Sequence, residues 1–265
     1  MRQPTPDLLP QAFRWHLSGD LADAELGALT GIATGMSGAE IAATVRDARG
    51  TARRARRALS LDDLIAAISD RRPPLDPGLR WQVAVHECGH AIVAHATGRA
   101  TVNLLSLTAA GGEASMTAKP SGLYREELEA DIAGLLAGRA AERLMLGQPS
   151  AGAGGQEDSD LADATRRAVA IELSLGLGEA GPVWHGPPER GVERLRFDRA
   201  LQARVRARLD AAEDHATTVL IENRSVLTSM ATELARSGAL SGDLLQTFLN
   251  SVTDAAPEKA GVNPA

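Results

Sequence analysis

The chemistry open to this chain concentrates in one short run, His86-Glu87-Cys88-Gly89-His90. The stretch from Trp81 to His95 holds no proline and reads as one helix. On a helix, residues four apart lie on one face, so His86 and His90 point the same way. Two imidazoles a turn apart can chelate a zinc ion. Glu87 sits about 100° further round, where its carboxylate can act as general base toward a water at the metal. The competing reading is a core helix with two incidental histidines. The flanks Val83, Val85, Ala91, Ile92 and Val93 speak against it, because two buried imidazoles without a shared partner each lose hydration. Cys88 lies about 200° from His86, so it faces away from the metal and reads as a small buried residue.

A catalytic zinc keeps three protein ligands and one open position. His95 stands five residues beyond His90, whereas the H-E-x-x-H-x-x-G-x-x-H pattern needs six. Glu142 would suit an enzyme that takes a glutamate from a second helix. Asp160 stands in the first turn of a predicted helix, where an ionised carboxylate is favoured. Spacing alone does not choose between Glu142 and Asp160. The glycine-rich stretch 147–156 is no phosphate cradle, since no Gly-Lys-[Ser/Thr] triplet occurs anywhere in the chain.

The elements that must hold these residues are mainly helical. Of 265 residues, 44% are hydrophobic but only 3% aromatic, which favours helices packed through alanine and aliphatic side chains. Three prolines in residues 1–10 predict an irregular start. Helices are predicted over Gln11–Leu17, over Asp23–Leu29, from the Ser37/Glu40 capping box to about Leu59, and over Leu64–Ile68 behind Ser60. The run from Arg71 to Gly78 then breaks the pattern and marks a domain boundary. After the zinc helix, Val102–Thr108 reads as a strand, Gly111-Gly112 as a turn and Glu113–Ala118 as a second strand. Leu123–Leu146 reads as a long helix. Gly134 and Gly138 inside it each cost about 1 kcal/mol relative to alanine, so another helix is expected to press close there. A helix from Asp160 to about Leu175, an irregular connection over 180–197, one or two helices over Asp198–Leu234 and a short helix from Ser241 through Phe248 complete the reading. The tail after Thr253 is expected to be mobile.

The net charge of −6 excludes little by itself, but nucleic-acid binders are more often basic. Arg46, Arg49, Arg53, Arg54, Arg56 and Arg57 lack interleaved aromatics and read as a solvated face or a subunit contact, not a nucleic-acid patch. One cysteine allows no intrachain disulfide. No run of about 20 apolar residues occurs, and Met1-Arg2-Gln3-Pro4 opens no signal-peptide pattern. The expectation is a cytoplasmic chain with no nucleic-acid partner and no membrane segment, membrane-associated only if an upstream region carries transmembrane segments.

Three stretches carry a resemblance: His86-Glu87-Cys88-Gly89-His90-Ala91, then Gly138-Arg139-Ala140-Ala141-Glu142, then Ser159-Asp160-Leu161-Ala162-Asp163-Ala164-Thr165. In order and spacing they resemble the signature stretches of the FtsH family, ATP-dependent zinc proteases of the AAA type. Glu222-Asn223-Arg224 and Gly238-Ala239-Leu240-Ser241-Gly242 resemble that family's end, so the likeness covers about residues 78–252. Upstream, Phe13-Arg14-Trp15-His16-Leu17 and Gly35-Met36-Ser37-Gly38-Ala39-Glu40-Ile41 resemble the helical lid of an FtsH-type ATPase module. By that likeness Gly38 and Ala39 would lie near the adenine of a bound nucleotide.

The resemblance implies a fold and a site. It implies a small helical AAA-type lid over residues 1–72, a proline-rich linker over 73–77, a mainly α zinc-metallopeptidase domain with a two- to three-strand β element over 78–252, and a tail over 253–265. It implies Asp160 as third ligand, hence one Zn2+ per chain on His86, His90 and Asp160, with Glu87 catalytic and Glu142 packing behind. It implies a hexameric ring closing the sites inside a chamber, and a substrate-binding edge strand near Glu113–Ala118. The family's nucleotide-binding core, Walker motifs, pore loop and transmembrane segments do not occur in this sequence. The expectation is a chain that starts inside the ATPase module or one that lost its motor, with ATP acting only through a core absent here. The expected activity is hydrolysis of peptide bonds in unfolded proteins or peptides. The alternative is a catalytically silent ring-forming or adaptor relative with a structural zinc site. Intact Glu87 speaks against it, because a scaffold has no need of a base.

Overall fold

The computed structural model describes residues 4, 8–71, 75–108 and 111–254. Most of the proline-rich start, residues 72–74 at the expected lid–linker boundary, residues 109–110 and residues 255 onward lie outside the described residues. The fold is mainly α with a small three-stranded antiparallel sheet. Two compact units divide the chain: Met1–Cys88 with Asn103–Met116 and Thr228–Phe248, and Gly89–Val102 with Thr117–Leu227 and Leu249–Ala265.

The N-terminal helices of the first unit are α1 (Leu9–Leu17), α2 (Thr30–Ala33), α3 (Gly38–Arg54) and α4 (Leu61–Arg71), with a 3-10 turn over Leu26–Leu29. Only that turn forms where a helix over Asp23–Leu29 was expected, and α2 follows directly after it. Leu9, Phe13, Leu17, Leu29, Met36, Ile41, Val45, Leu64 and Ile68 form a core of their own. α3 starts at the expected capping box: Glu40 N–H donates to Ser37 Oγ at 3.3 Å, and Ser37 N–H donates to Glu40 Oε2 at 2.7 Å. It stops earlier than the expected Leu59. Arg56 takes φ 53°, and the N–H groups of Arg57 and Arg56 turn back to Ala52 O and Arg53 O, a Schellman ending. An arginine in the position usually held by glycine gives no sequence signal of a stop. Two of the clustered arginines brace this unit: Arg49 reaches Asp20 at 2.8 Å, and Arg57 grips Asp63 at 2.5 and 2.6 Å.

α5 (Pro77–Ala96) starts with Pro77 in its first turn behind Asp76, whose carboxylate accepts from Gly78 N–H at 2.9 Å. Gly98, at φ 66°, ends it in a second Schellman turn. Strands β1 (Ala100–Thr108) and β2 (Gly111–Ala118) follow, and β2 is an edge of the sheet, whose order is β2-β1-β3. Gly111 and Gly112 belong to β2, not to the expected turn. β3 (Ala239–Ser241) pairs antiparallel with β1, Leu105 opposite Leu240. Three residues are too few for an alternating pattern, so β3 was not legible in the sequence.

In the second unit α6 (Arg125–Leu146) packs along α7 (Asp160–Leu173) and α9 (Arg199–Glu222). The connection expected to be irregular contains α8 (Pro188–Arg194), whose Gly191 sits so close to α7 that a Cβ would lie 2.4 Å from Val169 Cγ1. Asp198 caps α9 by accepting from Leu201 N–H at 2.9 Å. The expected long segment is two helices, α9 and α10 (Arg224–Ser237). Between them Asn223 clasps the C-terminal stretch: its amide donates to Thr253 O at 3.2 Å, and its Oδ1 accepts from Thr253 N–H at 2.7 Å. The last helix among the described residues is α11 (Gly242–Leu249), which up to Phe248 belongs to the first unit.

Candidate active site

His86, Glu87 and His90 lie in the middle of α5, all buried. What seats this helix is Gly89. A Cβ there would lie 2.7 Å from Ala137 O and 2.6 Å from Ala141 Cβ, so only glycine lets α5 lie directly on α6. The expected close approach at Gly134 is absent: a Cβ there meets nothing within 4 Å. Gly134 has a different task. Its carbonyl lies 2.8 Å from His90 Nδ1. Since a carbonyl only accepts, the proton belongs on Nδ1 and the lone pair on Nε2, the tautomer a metal ligand needs.

Asp160 opens α7, whose N-cap Ser159 accepts from Ala162 N–H at 3.4 Å. Its Oδ2 lies 3.4 Å from His90 Nε2. Two donors each about 2.1 Å from one ion, at a tetrahedral angle, lie about 3.4 Å apart. One donor atom each from His86, His90 and Asp160 fall within 4.8 Å of one another. The three are positioned to bind one metal ion, and two imidazoles with a carboxylate suit zinc. Among the described residues no fourth cysteine, histidine or carboxylate joins the cluster.

The other sequence candidates lie elsewhere. Glu142 is buried and accepts from Ser150 N–H and, at 3.0 Å, from Ser150 Oγ, so it fixes the start of the glycine-rich loop that leads to Asp160. His95 is half-buried, one turn beyond the motif. Cys88 is fully buried, and burial, then the neighbouring Glu87 charge, pushes its thiol well above the ordinary range. Gly38 and Ala39 open α3 behind Ser37.

Behind the site, α7 is held by charge. Glu172 accepts from Arg204 Nε at 3.0 Å and from Arg208 Nη2 at 2.5 Å, and Arg208 also reaches Glu129 of α6. Burial pushes the Glu172 carboxyl up, but Arg208 and then Arg204 outweigh it and hold it below the ordinary range. Sequence reading missed Gly89, Gly134 O and Glu172. Gly89 and Gly134 were visible signals as helix-interior glycines, but only packing shows that one gives room and the other lends its carbonyl.

Residues 75–248 match the sequence pattern of peptidase family M41. The chain belongs to peptidase family M41. The M41 stretch covers α5 to α11 and so contains the whole metal cluster, and the resemblance to FtsH-type proteases stands. Similar proteins include the ATP-dependent zinc metalloprotease FtsH 2 of Symbiobacterium thermophilum, 29% identical over 91% of this chain and 44% of its own length. FtsH 1 of Salinibacter ruber is 30% identical over 93% of this chain and 39% of its own. FtsH of Acidothermus cellulolyticus is 32% identical over 83% and 36%. The chain thus spans less than half the length of these M41 relatives. No helix among the described residues is long and apolar enough to cross a membrane.

Proposed function

We propose that this chain is the proteolytic part of an ATP-dependent zinc metalloprotease and cleaves peptide bonds in unfolded polypeptides. The observation that carries the reading is the cluster of His86, His90 and Asp160, with one carboxylate, Glu87, next to it on α5. His86 and His90 would hold the ion through ring nitrogens and Asp160 through a carboxylate oxygen. A bound zinc supplies Lewis acidity, acidifying water and polarising a peptide carbonyl. Glu87 takes the proton from the attacking water and delivers it to the departing amine. The burial of Glu87 keeps bulk water from competing for that proton.

An extended peptide laid along the exposed edge of β2 would be held by main-chain hydrogen bonds, a sequence-tolerant mode. In this reading residues 1–72 are an ATPase lid with Gly38 and Ala39 near a nucleotide, 73–77 a linker, 78–252 the peptidase domain and 253–265 a tail. ATP acts only through a nucleotide-binding core outside this sequence. The working form is a homo-hexameric ring in the cytoplasm, or at a membrane if an upstream region anchors it. The silent-scaffold reading is not favoured, because a structural zinc site wants a fourth protein ligand.

The test is metal analysis with a fluorogenic unstructured peptide. Purified protein should carry about one zinc per chain and cleave the peptide, and a chelator should abolish cleavage. Cleavage that persists after complete metal removal refutes the reading.

A further inference from the structure

Gly112 lies on β2, against α5, the helix that carries His86, Glu87 and His90. A Cβ built on its backbone would sit 2.5 Å from Cγ and 2.6 Å from Oε1 of Glu87, and 2.6 Å from Cγ1 of Val83. Atoms do not approach that closely, so a side chain added here would force one of these neighbours to shift. The reason is space and not conformation. Its neighbour Gly111 takes φ 139° with nothing within 4 Å of a Cβ, whereas Gly112 takes no positive φ.

We propose that Gly112 is a positioning residue: its bare Cα is the wall against which the Glu87 side chain is set, so that the edge strand β2 fixes where the general base stands. The proposal rests on reading Glu87 as that base. Glutamate turns about three side-chain bonds, and a base held only by its own helix would sample several rotamers. Val83, one turn before Glu87 on α5, is β-branched and stiff, so it closes the space from the helix side. The backbone of β2 closes it from the other. An added methyl would need about 3.4 Å where it has 2.5–2.6 Å. Since Val83 yields little, the carboxylate would move by about 1 Å, a displacement that costs on the order of 10²-fold in rate. There is a gain in using this strand. A peptide paired along the edge of β2 would take its register from the same backbone that seats the base, so the scissile bond and Glu87 share one frame.

The test is Gly112→Ala, read in two ways. In peptide cleavage, kcat should fall on the order of 10²-fold while KM and zinc content stay near wild type. In thermal melting of the metal-free protein, the added methyl should lower the midpoint in the wild-type background. It should cost little in a Val83→Ala/Glu87→Ala background, where the side chains it meets are gone. A wild-type kcat overturns the proposal, as does an equal melting cost in both backgrounds, or failure to fold in the truncated background. If the wild-type chain cleaves no peptide, the reading of Glu87 as base falls, and the melting comparison alone decides whether Gly112 seats its side chain.

Discussion

At the scale of single residues, His90 depends on neighbours that carry no reactive side chain. The Gly134 carbonyl fixes the His90 tautomer, and Gly89 gives α5 the room to reach that carbonyl. Gly89→Ala should therefore cost about 1–3 kcal/mol from overpacking, because one of its two close contacts is a backbone oxygen that cannot rotate away. It should also weaken zinc binding; unchanged metal affinity in a titration would separate helix seating from ligand placement. Glu87→Gln should keep zinc and fold while losing about 10²–10⁴-fold in activity, which a peptide assay on metal-loaded protein checks. Asp160→Asn should lose zinc. Asp163→Asn, three residues on and paired with Arg166, should keep it. Zinc retained in Asp160→Asn would remove Asp160 from the ligand set.

At the scale of elements, α7 matters because it carries Asp160 at one end and Glu172 near the other. The Glu172 carboxyl is held below its ordinary value by Arg208 and Arg204. A depressed carboxyl pKa adds stability that is present above the unfolded value, about 4.3, and is lost as pH falls through the folded value. The urea midpoint should thus decline below about pH 5, and Glu172→Gln should flatten part of that decline. An identical acid limb in the variant would show that this pair does not report on folding. Asp198 serves α9 as N-cap, and Asp198→Ala should cost about 1 kcal/mol, read as a shift in the urea midpoint.

At the scale of the whole molecule, the metal ligands come from α5 and α7, which stand 70 residues apart in sequence between His90 and Asp160. Metal binding therefore couples to folding. Chelation should lower the melting temperature and zinc should restore it, by an amount that grows with free zinc concentration. The chain also lacks any Gly-Lys-[Ser/Thr] triplet. It should hydrolyse no ATP alone and should cleave an unstructured protein while leaving a stably folded one intact. ATP turnover by the purified chain, in a phosphate-release assay, would contradict this.

Sequence alone determined what local periodicity and residue chemistry encode. The H-E-x-x-H run on a helix, the capping box at Ser37 and Glu40, the two long strands and the long helix before the glycine-rich loop were legible, because each is written in spacings of a few residues. Spacing did not give the identity of the third donor; only the family resemblance pointed to Asp160. Glu142 and Asp160 are both acids on helices, and only tertiary packing sends one to Ser150 and the other to within 3.4 Å of His90. The same holds for β3, which exists because β1 offers it a partner, and for the early stop of α3, where an arginine adopts the conformation expected of glycine. Glycine shows the limit most plainly. Gly89, Gly112 and Gly134 are the same letter in sequence, yet one admits a helix, one admits a carboxylate and one lends a carbonyl. A residue without a side chain is defined by what approaches it, and that is decided by residues far away in the chain.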